Sequence, residues 1–217
     1  NNSFHSGWNF ENNANYVWIE GFEIYGFSFS GFWNNHGCHD IYLYNNYIHD
    51  IGRKHPTDKD YIYGRVGIMI GHESRNITVD NCVIQGIGRL PQDIDTVKWS
   101  DSYKHDHGIY AQGDNLVIRN NLIYNCYAGW PIKVDGNDFG HAENSHIIES
   151  NIFAHPSNPG RDGHIRFYKN PGLKFEPKNV IIKNNVFYRP PGNIAISMGK
   201  NYSAIIKNNI LFCDYLF

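Results

Sequence analysis

The sequence predicts an all-β solenoid of about seven stacked coils, and three observations predict it. First, a segment centred on an asparagine pair recurs: IYLYNNYIH from Ile41, ITVDNCVIQ from Ile77, LVIRNNLIY from Leu116, VIIKNNVFY from Val180 and AIIKNNILF from Ala204. Second, the second residue of each pair falls at Asn46, Cys82, Asn121, Asn151, Asn185 and Asn209, with Phe22 in a degenerate first copy. The intervals of 24, 36, 39, 30, 34 and 24 residues describe a unit of about 24 carrying insertions. Third, each unit holds three short alternating runs, one before the asparagines, one just after them, and a Gly-Ile-x-Ile-like run such as Gly67-Ile68-Met69-Ile70 or Gly108-Ile109-Tyr110-Ala111.

Period-two alternation sends the aliphatic residues to one face of each run and the intervening ones to the other. A strand of three to five residues buries too little surface alone, whereas stacked coils bury their aliphatic faces against one another. Asparagine suits the fixed turn position twice over. Its amide can hydrogen-bond up and down a column, and it tolerates the left-handed backbone of a tight corner.

Taken in order, the first coil uses residues 1–35, with Tyr16-Val17-Trp18-Ile19-Glu20-Gly21-Phe22-Glu23-Ile24 supplying two strands and Gly31-Phe32-Trp33 the third. The second coil inserts residues 53–64 before Gly67-Ile68, and the third inserts residues 89–106 before Gly108-Ile109. Both insertions leave at the same corner, so they should stack into a wall beside the Gly-Ile strands and create a groove. The fourth coil is tight at that corner, through Tyr127-Ala128-Gly129-Trp130-Pro131, and carries its insertion, residues 137–144, on the opposite edge. Coil five is inserted at both corners, while coils six and seven are nearly bare, which centres the expected cleft on coils three to five.

The asparagine turns, the HGIY strand and the Gly-Ile repeats together resemble right-handed parallel β-helix proteins of the pectate-lyase-like superfamily. The resemblance covers nearly the whole chain and implies a single domain over residues 1–217. The chain starts near a degenerate coil and stops directly after the last repeat, which reads as a fragment lacking its terminal caps. For activity the resemblance implies a carbohydrate substrate, held in a cleft at this corner and strand face, and an extracellular, periplasmic or cell-surface location.

Composition narrows the partners. A net charge of −2 with a pI near 6.7 offers no basic footprint for nucleic acid. No run of 18 apolar residues exists, which argues against a membrane span. The 15 Tyr and 5 Trp exceed what a small core needs, leaving rings for sugar faces. Cys38, Cys82, Cys126 and Cys213 sit in different coils, and Cys82 takes a ladder position, so free buried thiols are expected.

By register, the outward column of the Gly-Ile strands reads Met69, Tyr110, Lys133, Arg166, Ser197, and the column two residues later reads Gly71, Gln112, Asp135, Tyr168, Gly199. Coils are about 4.8 Å apart, so Tyr110, Lys133 and Arg166 form a stack roughly 10 Å tall. A phenol beside two cations is what β-elimination on a uronate needs: a cation to neutralise the carboxylate, a base for the adjacent proton and an acid for the departing O4. Arg166 would be the neutraliser, Lys133 the base with its pKa lowered by its cationic neighbour, and Tyr110 or His107 the acid. Basic residues in such roles are also what the likeness to β-helix polysaccharide lyases implies. The alternative is that Lys133 and Arg166 are solvated strand residues paired with Asp135 and Glu149.

Trp99, Trp130 and Tyr168 are candidate stacking platforms, with Trp33 a further ring at a strand end; His164, Gln112 and Asp135 are candidate sugar contacts. His105-Asp106-His107 puts two imidazoles two residues apart, and Asp135-Gly136-Asn137-Asp138 resembles a fragment of a calcium loop, so Ca²⁺ held by Asp135, Asn137 and Asp138 is a candidate cofactor. The leading function is a polysaccharide lyase on an acidic glycan such as alginate or pectate. A glycoside hydrolase would need two or three carboxylates at the cleft centre, where only Asp135 lies, with Asp106 and Asp138 nearby. A uronate epimerase shares the proton-abstraction step, and a non-catalytic glycan-binding β-helix would use the same residues only to hold sugar.

Overall fold

The computed structural model describes residues 6–53, 64–90, 105–136, 145–154, 163–168, 178–190, 194–199 and 202–212. Within them the chain winds through three parallel seven-stranded sheets with no α-helix, as a right-handed parallel β-helix. Sheet A stacks Ser6–Phe10, Ser30–Asn34, Val66–Ile70, His107–Ala111, Ile132–Asp135, Ile165–Tyr168 and Ile196–Met198. Sheet B stacks Asn15–Glu20, His39–Tyr44, Arg75–Asp80, Asp114–Arg119, His146–Glu149, Val180–Lys183 and Ala204–Lys207. Sheet C stacks Glu23–Tyr25, Tyr47–His49, Val83–Ile87, Leu122–Cys126, Ile152–Ala154, Val186–Tyr188 and Ile210–Phe212. The strand Ser6–Phe10 lies within the first expected coil, ahead of the strands expected there, and pairs with Ser30–Asn34; no asparagine pair announces it.

The core is built from inward columns. Sheet A contributes Phe32, Ile68, Ile109, Ile132 and Ile165 in register, and sheet C contributes Ile24, Ile48, Ile84, Ile123, Phe153 and Phe187. The glycine that opens the sheet A strands is required by close approach. A Cβ on Gly31 would lie 2.7 Å from the Gly67 carbonyl oxygen, one on Gly67 2.6 Å from that of Gly108, and one on Gly108 2.5 Å from that of Pro131.

The asparagine pair divides its two tasks. The first member takes the left-handed backbone, as at Asn45, Asn81, Asn120, Asn184 and Asn208, with Ser150 filling the same place. The second member makes a buried ladder. The Nδ2 of Asn121 donates to Asn151 Oδ1 at 2.9 Å, that of Asn151 to Asn185 Oδ1 at 3.0 Å, and that of Asn185 to Asn209 Oδ1 at 3.0 Å. Cys82 interrupts this column, its thiol facing the carbonyls of Leu43 and Asp80 at 3.5 and 3.4 Å. Cys38, Cys82 and Cys126 are free and buried, and burial pushes the Cys82 thiol up to about 11.

Candidate functional site

Sheet A carries the site because its outward residues align across coils. The column runs Trp33, Met69, Tyr110, Lys133, Arg166, Ser197, in the expected register. Each neighbour in the list is hydrogen-bonded across one coil step, so side chains two residues apart in the list are about 10 Å apart at their Cα atoms.

Asp135 organises the centre. Its carboxylate is only 5% exposed, and its Oδ2 accepts from the Tyr110 hydroxyl at 2.7 Å and lies 3.1 Å from Lys133 Nζ. The ammonium also sits over the ring of Tyr110 at 4.8 Å and that of Tyr168 at 5.8 Å. The Arg166 guanidinium lies 4.9 Å from the Tyr168 ring and 5.3 Å from that of Trp130. The result is a row of two half-buried cations banked by aromatic rings on an open parallel face. Arg166 is not paired with Glu149, which instead meets Lys183 at 2.8 Å.

Lys133, the expected base, is ion-paired with Asp135, the partner that the alternative reading gave it. The Tyr110 phenol is held far above its ordinary range, first by burial and then by the adjacent Asp135 charge. Its hydroxyl is a hydrogen-bond donor, directed at Asp135.

A cavity of about 310 Å³ opens on the same face beside Tyr110, lined by Phe29, Trp33, Gly64, Val66, Met69, His105, His107 and Tyr110. It lies on coils one to three, nearer the N-terminus than the expected cleft centre. His107 is almost wholly buried, and its Nδ1 accepts the Trp130 backbone N–H at 2.9 Å, which puts the neutral ring's proton on Nε2. His105 is exposed at the rim, its ring 6.4 Å from that of His107.

The two long insertions are fastened where they leave the coils. The Arg89 guanidinium makes a bidentate pair with Asp106, Nε to Oδ2 at 2.8 Å and a terminal nitrogen to Oδ1 at 2.6 Å. Asp106 also accepts the backbone N–H groups of Arg65 and Arg89, each at 2.9 Å. Arg89 and Asp106 are the first and last residues of one insertion, and Arg65 follows the other. Their role escaped the sequence reading, although opposite charges at the two ends of an insertion were the signal for it.

Other expected contacts are turned inward. Trp130 is 2% exposed, packed under Arg166 because the tight corner folds it back onto the core. His164 is fully buried between Phe153 and Phe187, at centroid distances of 5.6 and 5.9 Å. Burial lowers its pKa to about 4, so it is a neutral core residue and no sugar contact. Gln112 is buried as well, beside Asp135 in the second column. Tyr168 remains half-buried and available.

Trp99, Asn137 and Asp138 lie outside the described residues. Among the described residues no group of three or more His, Cys, Asp or Glu side chains could hold a metal, and Asp135 Oδ2 is committed to Tyr110 and Lys133. Among the described residues no helix is long and apolar enough to cross a membrane. No family model, no curated protein and no solved structure matches this chain.

Proposed function

We propose that this protein binds an acidic, uronate-containing glycan along sheet A and cleaves it by β-elimination, as a polysaccharide lyase of the pectate-lyase-like kind working outside the cytoplasm. The observation that carries the reading is the stacked pair Lys133 and Arg166, set among the rings of Tyr110, Trp130 and Tyr168. Two cations one coil apart match a carboxylate-bearing sugar, and the half-buried Tyr168 ring matches its CH-rich face.

In this reading Lys133 and Arg166 neutralise the C5 carboxylate, which acidifies the proton on the same carbon. His105, exposed at the pocket rim, takes that proton on its neutral imidazole. The electron pair forms the C4–C5 double bond, the C4–O4 bond breaks, and Tyr110 delivers its phenolic proton to O4, recovering one from His105. The test is ultraviolet absorbance of the 4,5-unsaturated product during incubation with a panel of uronate polymers, wild type beside Lys133→Ala. A rise that the substitution abolishes is the expected result, and no rise on any polymer removes the elimination step.

A second reading has its own support. Asp135 Oδ2 engages both Tyr110 and Lys133, so the hydrogen bond and the ion pair at the centre are made without substrate. That arrangement suits a surface that holds an acidic glycan without cutting it. Binding without unsaturated product selects this reading.

A further inference from the structure

The cavity beside Tyr110 differs chemically from the cation row it adjoins. Among its described lining residues none carries a carboxylate, an ammonium or a guanidinium. Phe29, Val66 and Met69 present only carbon and a thioether, and Trp33 turns its one donor to Asn35 Oδ1 at 2.7 Å. The Tyr110 hydroxyl points to Asp135, and His107 Nδ1 is taken by the Trp130 backbone. A uronate carboxylate placed here would meet no ammonium or guanidinium of the described lining to replace its hydration, only the imidazoles of His105 and His107, which suit sugar hydroxyls. The volume, about 310 Å³, is at the small end for ligand sites and suits one sugar ring with a small substituent.

Continuity fixes what enters it. Met69, Tyr110 and Lys133 are consecutive in the outward column, so the pocket and the cation row are parts of one track. Resting on the acidic-glycan reading above, we infer that the pocket receives the uncharged sugar next to the bound uronate, and that this sugar bears a methyl group, either an O-acetyl or a 6-deoxy carbon. Trp33 and Phe29 would take the ring face and Met69 the methyl. Met69 is then a specificity residue, since its flexible thioether fills against an irregular apolar group.

The experiment is calorimetric titration with two matched pairs of oligosaccharides. One pair is an oligosaccharide alternating a uronate with an O-acetylated neutral hexose and the same sample after saponification. The other alternates a uronate with a 6-deoxyhexose, beside one alternating the uronate with the parent hexose. Wild type should bind the methyl-bearing member of at least one pair about tenfold more tightly, the usual value of one methyl in an apolar pocket. Which pair responds distinguishes acetyl from 6-deoxy carbon. Met69→Gln, which keeps the side-chain length and adds an amide, should bring the ratio in that pair close to one. Equal wild-type affinities within both pairs overturn the inference and leave acidic-glycan binding standing. A preference that Met69→Gln leaves intact overturns the assigned pocket. Binding of no oligosaccharide at all overturns the acidic-glycan reading and this inference together.

Discussion

Lys133 Nζ and Asp135 Oδ2 lie 3.1 Å apart on adjacent outward positions of one strand, a cation and an almost wholly buried carboxylate facing the same groove. Strand neighbours two residues apart share a face, so this pair is local. What is not local is Tyr110, brought to the same oxygen from the preceding coil. The carboxylate thereby orients the two groups proposed to meet substrate.

Removing the cation should weaken glycan binding. Lys133→Ala is expected to raise the Kd for a uronate oligosaccharide by roughly tenfold or more, the scale of one charge-assisted hydrogen bond. Titration calorimetry checks it, and an unchanged Kd would place the carboxylate elsewhere.

Acid should destabilise the fold through two core histidines. His146 and His164 are neutral, and burial lowers each to about 4. A histidine with a folded pKa below its unfolded value of 6.5 binds its proton more readily once the chain opens. Stability is therefore full above pH 6.5 and declines as pH falls toward 4, by on the order of 3 kcal/mol per ring. His164→Leu should flatten the Tm-versus-pH curve over that window; a curve of unaltered slope would show that other groups control acid unfolding.

The ladder should be the most sensitive turn element. Asn151 donates to the Ile118 carbonyl at 2.9 Å and to Asn185, and its Oδ1 accepts both the backbone and side-chain amides of Asn121. Asn151→Ala leaves several buried partners unmade, at roughly 3 kcal/mol or more. Cys82→Asn, which continues the column, should raise Tm. Urea denaturation of both variants checks the pair, and equal midpoints for Asn151→Ala and wild type would contradict a structural role.

One inward position is predicted to be improvable. Asn34 is fully buried in the sheet A column between Phe10 and Ile70, and neither its amide nitrogen nor its oxygen has a hydrogen-bond partner. Asn34→Leu, of similar size, should stabilise by about 1–3 kcal/mol. A loss of stability on denaturant titration would refute this.

The coil architecture was readable because it repeats. Ile109-Tyr110-Ala111 and Ile132-Lys133-Val134 alternate in the same phase, so their register followed from counting, and the column Met69 to Ser197 came out as expected. Corner residues were not readable in this way. Trp130 and His164 stand just before strands, where alternation has not begun and nothing local says which way a side chain turns. The Arg89–Asp106 pair spans 17 residues with no periodic spacing, so only the closed corner brings it together. The contact of Asp135 with Tyr110 likewise joins two coils, so no local pattern announces it.

The Arg89–Asp106 clamp also bears on how the coils are joined. Both side chains are at most 1% exposed, and they join the chain as it leaves one coil to the chain as it re-enters the next. Sheets above and below continue as though the intervening residues were absent. The pairing of the coils on either side is thus anchored by two side chains at the corner itself, whatever length of chain separates them in sequence.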